Sequence, residues 1–201
     1  MSIAINAPRA LVLADTWSHT RAADIVTILA ATALTALSAQ ISIPIPGSPV
    51  PVTGQTFAVL LAAAAIGPVR GALAQVLYVG IAMLGLPVLA GQTGGVSVVF
   101  GATGGYLLGF IVASVVVGYL ARRGWSRKPI QVALAYLAGS VVIYTFGAIG
   151  LSLVTGQSIG WSIQNGVTPF LIGDLLKAAL AAGVLPLAWL GVRKLQGPAA
   201  K

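Results

Sequence analysis

The sequence predicts an all-α integral membrane protein, a bundle of six transmembrane helices with both termini cytoplasmic. Three observations carry that prediction. Of 201 residues, 58% are hydrophobic and only 7% charged, with a mean hydropathy of +0.99, against roughly 25% charged residues in ordinary soluble domains. The apolar residues gather in runs close to the roughly 20 that one helical crossing needs. With those runs taken as spans, nearly every basic residue falls on one side.

The spans read at 22–43, 56–67, 71–86, 104–121, 130–154 and 168–192. Lipid offers no partner to backbone N–H and C=O groups, so each span must be helical rather than part of an open sheet. Residues 1–13 contain Pro8 and Arg9 and lack the basic start and apolar core of a signal peptide, so the first span is expected to be retained. The second is too short for a full crossing and should lie within the protein or begin in the preceding loop. On this division, 1–21 is a cytoplasmic N-terminal segment, 22–192 the membrane domain and 193–201 a basic cytoplasmic tail.

Arg9, Arg21, Arg70, Arg122, Arg123, Arg127, Lys128, Arg193, Lys194 and Lys201 all lie outside the spans, on one face. The opposite loops at 44–55, 87–103 and 155–167 hold no Lys or Arg. By the positive-inside rule those three loops face outward. The net charge of +8 is therefore a topology signal rather than a footprint for nucleic acid. The outward loops are rich in Pro and Gly: four prolines stiffen 44–55, and the glycines of 85–106 permit close backbone approach to a ligand. Two such loops on one face suggest a lid over a site.

Small residues recur at helix-packing spacing. Gly101, Gly105, Gly109 and Ala113 in the fourth span suggest packing inside the bundle. Ala23, Thr27, Ala31, Thr35 and Ala39 in the first are expected to form the interface for a partner membrane protein.

Several chemistries are excluded. No G-x-x-x-x-G-K-[ST] occurs, so an ATPase would have to be another subunit. Neither G-x-S-x-G nor H-E-x-x-H is present. Three acids, no cysteine and the lone His19 offer no catalytic residue set, no metal site and no cofactor.

The remaining chemistry is Asp174 and Lys177, two charges inside an apolar run. An ionised side chain in a span costs about 2.5–3.5 kcal/mol on insertion scales and persists mainly facing protein or a water-filled cavity. Three residues apart, the two share one helix face. Thr168 is expected to cap that helix and Pro169 to occupy its first turn, which puts Asp174 about 9 Å and Lys177 about 13 Å below the outer end. A purely structural ion pair is the alternative, weakened because an apolar pair is often as stable. Gln55, Tyr78, Gln92, Tyr106, Trp161, Gln164 and Asn165 are expected near the same pocket, with Trp161, Trp189 and Trp125 also explicable as interfacial anchors.

Four motifs, Pro49-Val-Pro-Val-Thr-Gly-Gln-Thr56, Gly85-Leu-Pro-Val-Leu-Ala-Gly91, Gly101-Ala-Thr-Gly-Gly-Tyr-Leu-Leu-Gly-Phe110 and the segment 169–177, together resemble the BioY family, the biotin-binding S components of energy-coupling factor (ECF) transporters. Gly54, where Leu is commoner, and Ala102, where Pro is commoner, are small departures. The resemblance implies a six-helix S-component bundle in the bacterial cytoplasmic membrane that captures biotin beneath the outer loops. It also implies a transmembrane coupling protein and two cytoplasmic ATPase subunits as partners, with the loaded bundle toppling to release its ligand inward. A stand-alone biotin transporter, or an S component for a different small vitamin, stays open. For biotin, Asp174 would accept from the urea N–H groups and Lys177 donate to its carbonyl, leaving the carboxylate to Gln55 and the backbone around Gly91, Gln92, Gly94 and Gly95. The reverse pose, with Lys177 on the carboxylate, also stays open.

Overall fold

The computed structural model describes residues 11–17 and 20–195; Arg9, His19 and the end of the expected basic tail lie outside them. Among the described residues eight helices follow in order: α1 (Arg21–Ala39), α2 (Gln55–Ile66), α3 (Pro68–Met83), α4 (Val96–Val99), α5 (Gly104–Leu120), α6 (Pro129–Thr155), α7 (Ile159–Gly166) and α8 (Leu171–Leu195). The helical stretches Arg21–Ala39, Gly104–Trp125, Pro129–Thr155 and Ile159–Leu195 are long and apolar enough to cross a membrane, while α2 and α3 are shorter apolar helices.

Local signals explain the boundaries. Thr20 caps α1 by accepting from the Ala23 amide at 3.2 Å, satisfying one of the donors a helix start leaves unpaired. Gly67, at φ 88°, makes the reversal between α2 and α3 that an L side chain resists, and Pro68 then occupies the first turn of α3. Gly156, also left-handed, closes α6. The helix carrying Asp174 begins later than expected: Thr168–Phe170 forms a separate 3-10 turn, and the Thr168 hydroxyl donates back to Ile163 O at 3.2 Å instead of capping.

The Pro- and Gly-rich loops hold more structure than their composition suggested. A short antiparallel ribbon pairs β1 (Ser42–Ile43) with β2 (Val52–Thr53) and holds the proline loop between them. Within 87–103 lie α4 and a turn at Ala90–Gln92; within 155–167 lies α7, capped by Ser158.

The core is one large apolar cluster reaching from Val12 through α2, α3, α5 and α6 to Leu185 on α8. α5 and α6 meet most extensively. A Cβ added at Gly109 would stand 2.9 Å from Ile143 Cα, so the small residues of the fourth span let two backbones touch.

The stripe on α1 has a different place from the one expected. Ala31, Thr35 and Ala39 are buried and Ala23 and Thr27 half-buried, on the face that packs against α2 and α3. Gln75 donates to Thr35 across that contact at 3.2 Å, and Thr32 donates to Ala74 O at 3.0 Å. Small residues let helices approach, and here Ala31, Thr35 and Ala39 bring α1 against α2 and α3 of the same chain. The exposed side of α1 carries Ile25, Val26, Leu29, Leu34 and Leu37.

The segment before α1 is part of the body. Val12 is fully buried, and Arg70 joins it to the bundle, pairing with Asp15 at 2.9 Å and with Asp24 of α1 at 2.7 Å. Burial by itself would raise the Asp15 carboxyl, but hydrogen bonds from Arg70 and the Val12 and Leu11 amides, with the charge of Arg70, hold it below its ordinary value.

Candidate functional site

A cavity of about 230 Å³ opens between the proline loop, the 87–95 loop and helices α2, α5, α6 and α8. It sits slightly below the roughly 300–1,000 Å³ of common ligand pockets and suits a small molecule. Pro49, Val50, Pro51, Leu89, Ala90 and Thr93 come from the loops; Tyr106, Leu107, Phe110, Tyr144 and Phe170 supply an apolar wall. Phe170 stacks on Tyr144, centroids 6.1 Å apart, and meets Tyr106 edge-on at 6.4 Å. The Tyr106 hydroxyl donates to Gly166 O at 2.7 Å, tying the wall to the end of α7.

The polar part of the lining is Thr53, Gln55, Thr56, Asp174 and Lys177. Asp174 lies in the first turn of α8, where the unpaired amides of the helix start favour a negative charge. Its carboxylate is surrounded by donors. Oδ1 accepts from Lys177 Nζ at 2.9 Å and from the Thr56 hydroxyl at 3.1 Å; Oδ2 accepts from Ser140 at 3.0 Å and Tyr144 at 2.6 Å. A carboxylate offers about four lone-pair sites, and all four are taken. Lys177 is equally committed: its ammonium also donates to Thr56 Oγ1 at 2.8 Å and to Thr53 O at 2.9 Å. Asp174 is 3% exposed and Lys177 half-buried, and the cost of desolvating the pair is met by hydrogen bonds on every side.

The positions expected from sequence divide into two groups. Asp174, Lys177 and Gln55 line the cavity together. Tyr78 does not reach it: fully buried, it accepts from Gln55 Nε2 at 2.8 Å and donates to Val88 O at 2.9 Å, so it braces both Gln55 and the loop. Gly91, Gln92, Gly94 and Gly95 are likewise not among the lining residues. Gly91, Gln92 and Gly95 have left-handed backbones, and a Cβ on Gly94 would collide with Leu86 O; they shape the turn that presents Leu89, Ala90 and Thr93. Gln40, at the end of α1, donates to Leu89 O at 3.3 Å from outside that turn.

Thr53, Thr56, Ser140 and Tyr144 join the site without having stood out in the sequence. A hydroxyl in a span can satisfy itself on its own helix, so it raises no alarm as a charge does. The available signal was spacing, since Ser140 and Tyr144 are four apart and share a face of α6.

The family model for BioY matches residues 11–194, nearly the whole described chain. The chain belongs to the BioY family. Among its relatives are a biotin transporter BioY of Thermotoga maritima, 41% identical over 152 residues that cover 75% of this chain and 86% of the relative, and a probable biotin transporter BioY of Pyrococcus horikoshii, 40% identical over 149 residues, 74% and 85% respectively. A biotin transporter BioY of Rhodobacter capsulatus is 36% identical over 163 residues, 76% and 85%. The fold matches the crystal structure of an S-component for biotin from an ECF-type ABC transporter with a TM-score of 0.72, at 26% identity, covering 89% of this chain and 95% of that one. BioY family membership makes this a membrane transport protein rather than an enzyme.

Proposed function

We propose that this chain is the biotin-capture subunit of an ECF-type transporter, taking the vitamin from the outer side of the cytoplasmic membrane. The observation that carries the reading is the Asp174–Lys177 pair, buried at the edge of an apolar cavity in a chain whose relatives are biotin transporters. Biotin offers a urea with two N–H donors and a carbonyl, which an aspartate and a lysine side by side complement by charge-assisted bonds. Its fused rings and aliphatic chain suit the Tyr144–Phe170–Phe110 wall. In this reading the ring enters first, and the carboxylate stays near Gln55 and the 87–95 loop.

The six apolar helices cross or enter the membrane with both termini cytoplasmic, as the one-sided distribution of basic residues supports. A transmembrane coupling protein and two ATPase subunits supply the ATP-driven step, in which the loaded bundle topples.

Calorimetric titration of the purified chain in detergent tests the site. Asp174→Asn and Lys177→Met should each weaken biotin binding by about 2–5 kcal/mol, since each leaves a desolvated partner behind; unchanged affinity in both overturns the assignment. Biotin amide should bind nearly as well as biotin, and a ring-modified analogue poorly; the opposite result reverses the pose. Uptake of labelled biotin with and without the ATPase subunits tests the ATP-driven step.

A further inference from the structure

Glycines serve two different purposes in the bundle. Gly105, Gly109 and Gly150 lie against the backbone of the facing helix, where α5 meets α6. Gly147 of α6 and Gly166 at the end of α7 lie against a side chain instead. A Cβ built on Gly147 would overlap Cδ1 and Cε1 of Tyr106 and stand 2.6 Å from its Cζ; one on Gly166 would overlap the Tyr106 hydroxyl and stand 2.8 Å from Leu151 Cδ2. Neither glycine has a left-handed backbone, so the fold uses the missing side chain and not the freedom in φ. A glycine inside a helix is destabilising relative to alanine, and here the space it leaves is filled by an aromatic ring.

We infer that Gly147 and Gly166 are specificity-determining residues, which let Tyr106 recede between α6 and α7 and so set the width of ring the cavity admits. The inference rests on the reading that places the fused rings of biotin against the aromatic wall. Tyr106 is 7% exposed and lines the cavity. Phe170 meets it edge-on at 6.4 Å, its hydroxyl donates to Gly166 O at 2.7 Å, and Leu151 beyond is fully buried. The open side of the ring is therefore the cavity. Packed interiors transmit strain rather than absorb it, so a methyl on Gly147 would drive the ring into that space. At about 230 Å³ the cavity has little room to lose, and a fused bicyclic urea needs more of it than a single-ringed one.

Dethiobiotin supplies the comparison, having the same urea and acid chain but no sulfur to close the second ring. In titrations, Gly147→Ala should bind biotin about tenfold more weakly, the scale of one methylene too many in a pocket, and lose less affinity for dethiobiotin. Adding Tyr106→Leu should return most of the biotin affinity, whereas adding Tyr106→Phe, which keeps the ring, should not. Should Gly147→Ala not fold, Tyr106→Trp carries the same prediction, since its wider ring outgrows the space the glycines leave. Unchanged biotin affinity, equal losses for the two ligands, failure of Tyr106→Leu to restore binding, or recovery with Tyr106→Phe overturns the inference. Asp174→Asn and biotin amide titrated in parallel separate the failures. If Asp174→Asn weakens both ligands and the amide binds like biotin while Gly147→Ala costs both ligands alike, the glycine slot alone is wrong. If Asp174→Asn changes nothing or the amide fails to bind, the underlying reading is wrong and the inference falls with it.

Discussion

Asp174 and Asp15 are both carboxylates paired with a cation, placed near opposite ends of α2, about 18 Å of helix apart, and their surroundings differ in kind. Asp174 is buried, accepts four hydrogen bonds and lines a cavity of about 230 Å³. Asp15 shares Arg70 with Asp24, whose side chain is 43% exposed, and the cluster borders a smaller groove of about 90 Å³ with Trp17. Burial strengthens the Coulomb attraction and the desolvation cost alike. One pair is consequently sensitive to every hydrogen bond around it, whereas the other works as a clip between the N-terminal turn, α1 and α3.

The largest expected effect separates the two regions directly. Asp174→Ala removes the counter-ion of Lys177 and should cost about 3–5 kcal/mol of stability, read as a fall in the thermal midpoint, together with loss of biotin binding by titration. If Asp174→Ala melts like the parent, Lys177 is better hydrated than its surroundings indicate. Tyr144→Phe deletes one charge-assisted bond at 2.6 Å and should lower stability by about 1.5–3 kcal/mol, read as a fall in the thermal midpoint. Arg70→Met should lower stability by about 1 kcal/mol or less, the scale of partly exposed pairs, and leave biotin affinity as it was. Altered affinity in Arg70→Met would show that the clip and the cavity are energetically coupled.

The smallest effect is a pH response of the clip. The folded Asp15 carboxyl is held below its ordinary value of 3.8, so its contribution is complete above that value and fades as pH falls through the lower, folded one. Thermal midpoints measured between about pH 5 and 2.5 should show a small loss that Asp15→Asn abolishes. A loss of the same size in Asp15→Asn would assign it to other groups.

The charged pair was legible from sequence because a charge in an apolar run has few tolerable environments. The shell around it was not, since Ser140, Tyr144 and Thr56 are ordinary residues in helices until folding turns them toward Asp174. Position along a loop also proved weaker than backbone geometry: Gly91, Gln92, Gly94 and Gly95 make the turn, while their neighbours Leu89, Ala90 and Thr93 meet the cavity. On α1, small residues foretold a close contact without saying with which helix. The helix α7 has no clear sequence signature because Ile159–Gly166 mixes Gly, Ser, Gln and Asn with its apolar residues, leaving no sustained hydrophobic run.

The saturated carboxylate has a calorimetric consequence. A ligand donor arriving at Asp174 replaces a bond already present, so the heat gained there is the small difference between two similar contacts. The walls contribute otherwise, since covering Leu107, Phe110, Tyr144 and Phe170 removes apolar surface from water and lowers the heat capacity. Binding enthalpy should therefore grow steadily more favourable with rising temperature, even where its value near 25 °C is modest.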